Sequence, residues 1–232
     1  MGVELTSEHS PQRGRTRLVV GGVLLVLVAL VVGTLVGRAT TLIAAPTPDD
    51  SSAEAGFARD MQTHHGQAVE MSLIILERTD DPEIRLLALD IATGQTQQQG
   101  QMFAWLSVWG LPQTSSGPSM QWMSLPVING DEQGVDHSGM DMTEGSESAA
   151  PGESMPGMAT PDDLRQLSSL SGVEAERLYL ELMMAHHQGG VAMAESVLAR
   201  SDNPQVTTLA QNMVRQQSKE LDYMSELLAA RS

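Results

Sequence analysis

Between Leu18 and Gly37 the chain has no charged residue and is dominated by Leu and Val. A run of about 20 such residues can cross a bilayer as one helix. It exceeds the roughly 7–15 residue core of a usual signal peptide. After Ser51 the pattern changes: apolar residues recur at helical spacing and strand alternation is absent. Ser51 or Ser52 can cap a helix running to about Arg78. Asp80-Asp81-Pro82 then makes a turn with proline at the first position of a second helix, Pro82 to Val108. Its apolar positions Ile84, Leu87, Ala88, Ile91, Met102 and Leu106 are interrupted by a polar stretch from Gln95 to Gln101, and Gly110-Leu111-Pro112 ends it. A short helix from Pro161 to Leu170, a third long helix from Val173 to Ala199 and a fourth from Pro204 to about Ala230 complete the pattern. Two helical hairpins predict an all-α body, an antiparallel four-helix bundle.

Residues 113–160 break the periodicity. They are rich in Gly, Ser, Pro and Met, and are expected to form a long solvated connection with little regular structure. Ordering such a segment has no obvious compensation, so its replacement by a short linker is expected to leave the bundle folded.

Charge orients the apolar run. Arg13, Arg15 and Arg17 precede it and only Arg38 follows closely. The positive-inside rule places residues 1–17 in the cytoplasm, 18–37 in the membrane as a signal anchor, 38–50 in a linker and the bundle, 51–232, outside. Cleavage near Ala44-Ala45, which would release a secreted protein, is the alternative. The formal net charge of −16 argues against a nucleic-acid partner and is compatible with attracting cations. With no cysteine, thiolate chemistry is excluded.

The bundle contains a duplication. Met61-Gln62-Thr63-His64-His65 and the Met71 beyond it recur as Met183-Met184-Ala185-His186-His187 and Met193. The offset of 122 residues also pairs Phe57 with Tyr179, Arg78 with Arg200, Pro82 with Pro204, Gln95 with Gln217 and Met102 with Met224, without a gap. On a helix, Met61, His64, His65, Ala68 and Met71 lie along one face, with the two rings about 100° apart. If the two faces met across a pseudo-two-fold axis, they would gather four imidazoles among several thioethers. That donor set suits copper, Cu(I) especially; another divalent metal is possible, although zinc usually takes thiolate, more imidazole or carboxylate. Di-iron bundles use Glu-x-x-His, whereas Met61, Gln62, Met183 and Met184 stand three residues before the paired histidines.

The expected metal ligands are therefore His64, His65, His186, His187, Met61, Met71, Met183 and Met193. Met184 and, in Asp136-His137-Ser138-Gly139-Met140-Asp141-Met142, His137, Met140 and Met142 are possible accessory ligands. That last stretch resembles the Met- and His-rich stretches of bacterial copper-resistance proteins. Metal release is expected as pH falls through about 6.5, since imidazole must be neutral to ligate. Methionines at helical spacing also serve as core filler. A helical interaction module with structural histidines, or a metal-dependent redox enzyme, are the competing readings. Gln95 and Gln217 are expected as buried hydrogen-bond partners.

The paired Met-x-x-His-His motif with its later Met, each followed by a turn and a Gln-bearing helix, resembles the domain-of-unknown-function 305 family over about Ser51 to Arg231, less the middle segment. The resemblance implies a ferritin-like helical bundle, secreted or membrane-anchored, in bacteria, with copper binding and tolerance in some members. His64, His65, His186, His187, Met61, Met71, Met183 and Met193 fall on the family motif. The glutamate common on the family's second helix is present as Glu220 in the second repeat, with Gln98 at the matching place in the first. The combined expectation is a membrane-anchored, extracytoplasmic protein that sequesters or transfers copper without catalysis.

Overall fold

A computed structural model describes residues 12–42, 47–128 and 155–231, with side chains of the first stretch described from Val20 to Leu35. His137, Met140 and Met142 lie outside the described residues. The first helix, α1, covers Gln12–Leu42 and so extends past the apolar run at both ends. It belongs to a unit separate from the one that begins at Thr47. Its side chains from Val20 to Leu35 are exposed. Among the described residues no helix is long and apolar enough to cross a membrane.

The second unit is built on four long helices, α2 (Ala53–Leu76), α3 (Pro82–Trp109), α5 (Gly172–Leu198) and α6 (Pro204–Ala229), with a short α4 (Pro161–Ser169) before α5. No strand occurs among the described residues. Local chemistry sets the ends. Ser52 caps α2 by accepting from the Ala55 amide, and Gly110 closes α3 in the left-handed conformation at φ 71°. Thr160 and Asp163 form a reciprocal capping box on α4.

The duplication persists in the hydrogen bonds. Asp81 caps α3 and its counterpart Asn203 caps α6, each through two backbone amides ahead of a proline. Thr79 Oγ1 accepts from the Asp81 amide and donates to Glu176 on α5. Ser201 Oγ accepts from the Asn203 amide and donates to Glu54 on α2. Each hairpin turn is thus tied to the N-terminal part of the other repeat's leading helix.

The core falls into two apolar clusters. One holds Phe57 and Met61 of α2, Met102 and Leu106 of α3, Met193 and Val197 of α5, and Val206 and Met213 of α6. The other holds Met71 and Ile75, Ile84 and Ile91, Tyr179 and Met183, and Met224 and Leu227 of the same four helices. The start of α2 therefore lies beside the ends of α3 and α5 and the start of α6, which makes α2–α3, α5–α6 and α2–α5 antiparallel pairs.

The expectation for residues 113–160 is corrected where they are described. Residues 121–124 form a 3₁₀ turn that buries Trp122 edge-on against Phe57, at 5.8 Å and 83° between rings. Trp122 Nε1 donates to Asp60 Oδ2 at 2.9 Å, and the Met120 amide donates to the same oxygen at 2.7 Å. Gly56 supplies the seat, since a Cβ there would come within 2.5 Å of the indole. At the other end the Ala159 backbone pairs with both ends of the Gln67 amide, at 2.7 and 2.8 Å. Single well-placed contacts, invisible to a periodicity argument, hold both ends on the bundle.

Candidate metal centre

Between the two apolar clusters lies a polar layer drawn from the middle of all four long helices. The helices place His64 and His65 on α2, Gln95 and Gln98 on α3, His186 and His187 on α5, and Gln216, Gln217 and Glu220 on α6. All four histidines are buried, at 1 % exposure or less. The His64 and His186 rings stack with centroids 3.7 Å apart and planes tilted by 34°, and the His187 ring lies 6.3 Å from that of His186.

Each Nε2 has a partner. His186 Nε2 meets the His64 carbonyl at 2.8 Å and His64 Nε2 meets the Pro156 carbonyl at 3.0 Å. Carbonyls only accept, so both rings carry their proton on Nε2. His187 Nε2 donates to Glu220 Oε2 at 2.7 Å, and His65 Nε2 lies 2.7 Å from Gln98 Oε1. The Gln98 nitrogen donates to Gln216 Oε1 at 3.3 Å, and the Gln216 nitrogen to Glu220 Oε1 at 2.9 Å. With the Nε2 atoms so engaged, the four Nδ1 atoms retain a lone pair, and all four are buried without a hydrogen-bond partner.

Burial in this apolar surround disfavours the imidazolium. It pushes His64 down to about 4 and His65 to about 3, with the neighbouring histidines adding to it, and it holds His186 well below its ordinary value for the same reasons. In the metal-free chain the rings of His64, His65 and His186 therefore stay neutral below the ordinary imidazole value.

Met61, Met71, Met183 and Met193 are fully buried, but the structure separates them. Met61 and Met193 belong to one apolar cluster, Met71 and Met183 to the other, so one methionine from each repeat copy lies on either side of the histidine layer. Met184 is half-buried at the margin of the second cluster. Gln95 and Gln217 do not pair as expected. Both amide ends of Gln95 and the Gln217 oxygen are buried without partners, so each long helix contributes an unpartnered polar atom to this layer. Among the described residues no three His, Asp or Glu side chains are gathered as a metal-binding group.

Two contributors were not legible in the sequence. The Pro156 carbonyl reaches His64 because Gly189 and Gly157 allow backbones to touch: a Cβ on Gly189 would come within 2.0 Å of Pro156 O, and one on Gly157 within 2.1 Å of Ala185 O. Gln216 is the other; its counterpart in the first repeat is Gly94, so the duplication gave no signal for it. Gln98, Gln216 and Glu220 also line an open groove of about 1070 Å³ between α3 and α6, which places the outer edge of the polar layer next to solvent.

The fold has relatives of known structure. A DUF305 protein from Streptomyces coelicolor, described as a candidate secreted protein, is 43 % identical, with a TM-score of 0.65 over 79 % of this chain and 96 % of that one. A DUF305 fragment from Deinococcus radiodurans is 31 % identical, with a TM-score of 0.59 over 80 % and 99 %. CopM, solved with Cu(I) bound, is 20 % identical, with a TM-score of 0.53 over 77 % and 96 %, a likeness of fold alone. Among curated proteins none matches. The family model described as "Domain of unknown function (DUF305)" matches residues 54–228, and on that match, together with the two DUF305 structures, the chain belongs to the DUF305 family.

Proposed function

We propose that the chain binds copper, as Cu(I), in the histidine layer of the bundle, and that it sequesters or passes on the ion outside the cytoplasm. The observation that carries this reading is the set of four buried Nδ1 lone pairs without partners, in a layer flanked by Met61 with Met193 and by Met71 with Met183. Leaving such atoms unpaired in a protein interior costs about 1–3 kcal/mol each, a cost that an ion accepting those lone pairs would offset. Neutral imidazole and thioether together suit a soft monovalent ion. CopM, of the same fold, is a protein solved with Cu(I), Cu(II) or silver bound, which supports the choice of metal.

The chain's own residues supply orientation and exclusion of water. The Nε2 hydrogen bonds fix each ring, the strap at Pro156 covers His64, and the apolar clusters close the layer above and below. In the same reading, the run Leu18–Gly37 anchors the chain in the membrane as a ferritin-like bundle on its outer side. The exposed apolar face of α1 and Arg13, Arg15 and Arg17 before it support that. The candidate secreted relative favours release after cleavage instead. Fractionation separates the two: the anchor requires the full-length chain in membranes, and a trimmed soluble form refutes it.

The bonds from His64 and His186 to backbone carbonyls favour a second reading, in which the rings only knit α2, α5 and the strap together. Metal analysis of the purified chain after exposure to Cu(I), Cu(II) and Zn(II) decides. Retained copper with a preference for Cu(I) is expected; a chain that retains none of the three has structural histidines.

A further inference from the structure

We infer that Glu220 is a positioning residue for two histidines at once, setting the ring proton of His187 directly and that of His65 through the amides of Gln216 and Gln98. The consequence for metal affinity rests on the metal-binding reading above; the proton positions are properties of the metal-free chain.

A carboxylate has only acceptor atoms, whereas a primary amide has one acceptor and one donor end. The orientation of every group follows from Glu220. Its Oε2 takes the His187 Nε2–H and its Oε1 takes the Gln216 nitrogen. That turns the Gln216 oxygen toward Gln98, whose nitrogen donates to it. The Gln98 oxygen then faces His65, which must donate from Nε2. Both rings thereby keep Nδ1 bare. The repeat puts Gln98 at the place that Glu220 occupies in the second copy. Gln98 therefore acts as a relay that lets the first repeat use the second repeat's carboxylate. One half-buried carboxylate serves two rings, where a second carboxylate at position 98 would add a like charge to the same network.

The test is a two-bond ¹H–¹⁵N correlation of the histidine rings in the full metal-free chain at neutral pH. His65 and His187 are both expected with the proton on Nε2. In Glu220→Gln the new amide can offer only one acceptor. If its nitrogen faces His187, that ring must move its proton to Nδ1. If its nitrogen faces Gln216, both relay amides turn round and His65 must move its proton to Nδ1. One of the two rings, and not both, should therefore switch. Gln216→Leu, at a half-buried position, provides a second variant: Gln98 becomes free to present either end, so His65 should become a mixture of tautomers while His187 stays on Nε2. A proton on Nδ1 of either ring in the native chain, or no switch in either variant, overturns the inference. Loss of a well-oriented supporting hydrogen bond should lower Cu(I) affinity about 10–100-fold in Glu220→Gln. A switched ring with unchanged copper affinity would uphold the relay and refute the metal reading alone.

Discussion

The His186 ring stacks on the His64 ring and donates its Nε2–H to the His64 backbone carbonyl, at 2.8 Å. These two residues are the same position in the two repeats, so the duplication closes on itself at this pair. The closure is one-sided. A strict two-fold would send His64 Nε2 to the His186 carbonyl, but it goes to Pro156, 3.0 Å away. The two rings are thus both in contact and chemically inequivalent.

If the layer is one centre, the two His pairs should act jointly. His64 and His65 to Ala, and separately His186 and His187 to Ala, should each weaken Cu(I) binding strongly. The quadruple change should lose less than the sum, because ligands of one site are not additive. A competition titration against a Cu(I) chelator reads this. Additive losses, with half of the bound copper lost in each double variant, would instead mean two separate sites.

The metal-free bundle should lose stability in acid. The folded values of His64, about 4, and His65, about 3, lie below the unfolded value near 6.5. Between those limits the unfolded chain binds protons that the folded chain does not. Stability is therefore complete above about pH 6.5 and falls as pH drops toward 4 and then 3. At about 1.4 kcal/mol per unit, His64 alone contributes roughly 3 kcal/mol. Urea unfolding across pH 4–7 measures the slope, and His64→Phe should flatten it. An equal slope in that variant would assign the effect to other groups.

The strap and the tryptophan turn should be integral to the fold. Trp122→Ala removes the ring packed on Phe57 and leaves Asp60 without one of its donors; a loss of about 3–5 kcal/mol is expected. Gly189→Ala places a methyl 2.0 Å from the Pro156 carbonyl and should cost about 1–3 kcal/mol as overpacking, with faster amide exchange around Met158. Replacing residues 113–160 by a short linker should now lower the melting temperature, contrary to the expectation from composition. An unchanged melting temperature in that replacement would restore the loop reading.

Arg231 offers a control remote from the histidines. Its guanidinium pairs with the buried Glu176 at 2.7 Å and with Asp81 at 3.0 Å, holding the end of α6 to α5 and to the first hairpin turn. Arg231→Ala should cost roughly 2–3 kcal/mol, the scale of a hydrogen bond to a charged group, with the copper stoichiometry unchanged. A change in stoichiometry would show that the ends of the bundle are coupled to its centre.

How far the sequence could be read depended on whether a feature repeats. The four long helices were legible because caps, prolines and apolar periods occur twice, with Asp81 and Asn203 heading equivalent helices. The histidine layer was legible because His64-His65 and His186-His187 share one register. What failed to repeat was missed. Trp122, Pro156 and Gln216 each act once, and the aperiodic segment around the first two reads as solvated linker until tertiary contacts are known. Gln98 was visible as a departure from the family's glutamate, but its partner Gln216 lies more than a hundred residues away in sequence. Helix spacing put Met61 and Met71 on one face, yet ten residues along a helix are about 15 Å, far enough to place them in different clusters.

That division of the core bears on where the chain came from. Each apolar cluster takes the first half of one hairpin's leading helix and the second half of the other's. A single hairpin would therefore leave half of both clusters bare, and its histidine pair would face water. An ancestor that carried one repeat could bury its apolar face only by self-association about a two-fold axis. In the present chain the second repeat takes the place that such a partner would fill. Joined in one chain, the two halves need not be identical, and Gln98 and Glu220, at matching positions of the repeat, take unequal parts.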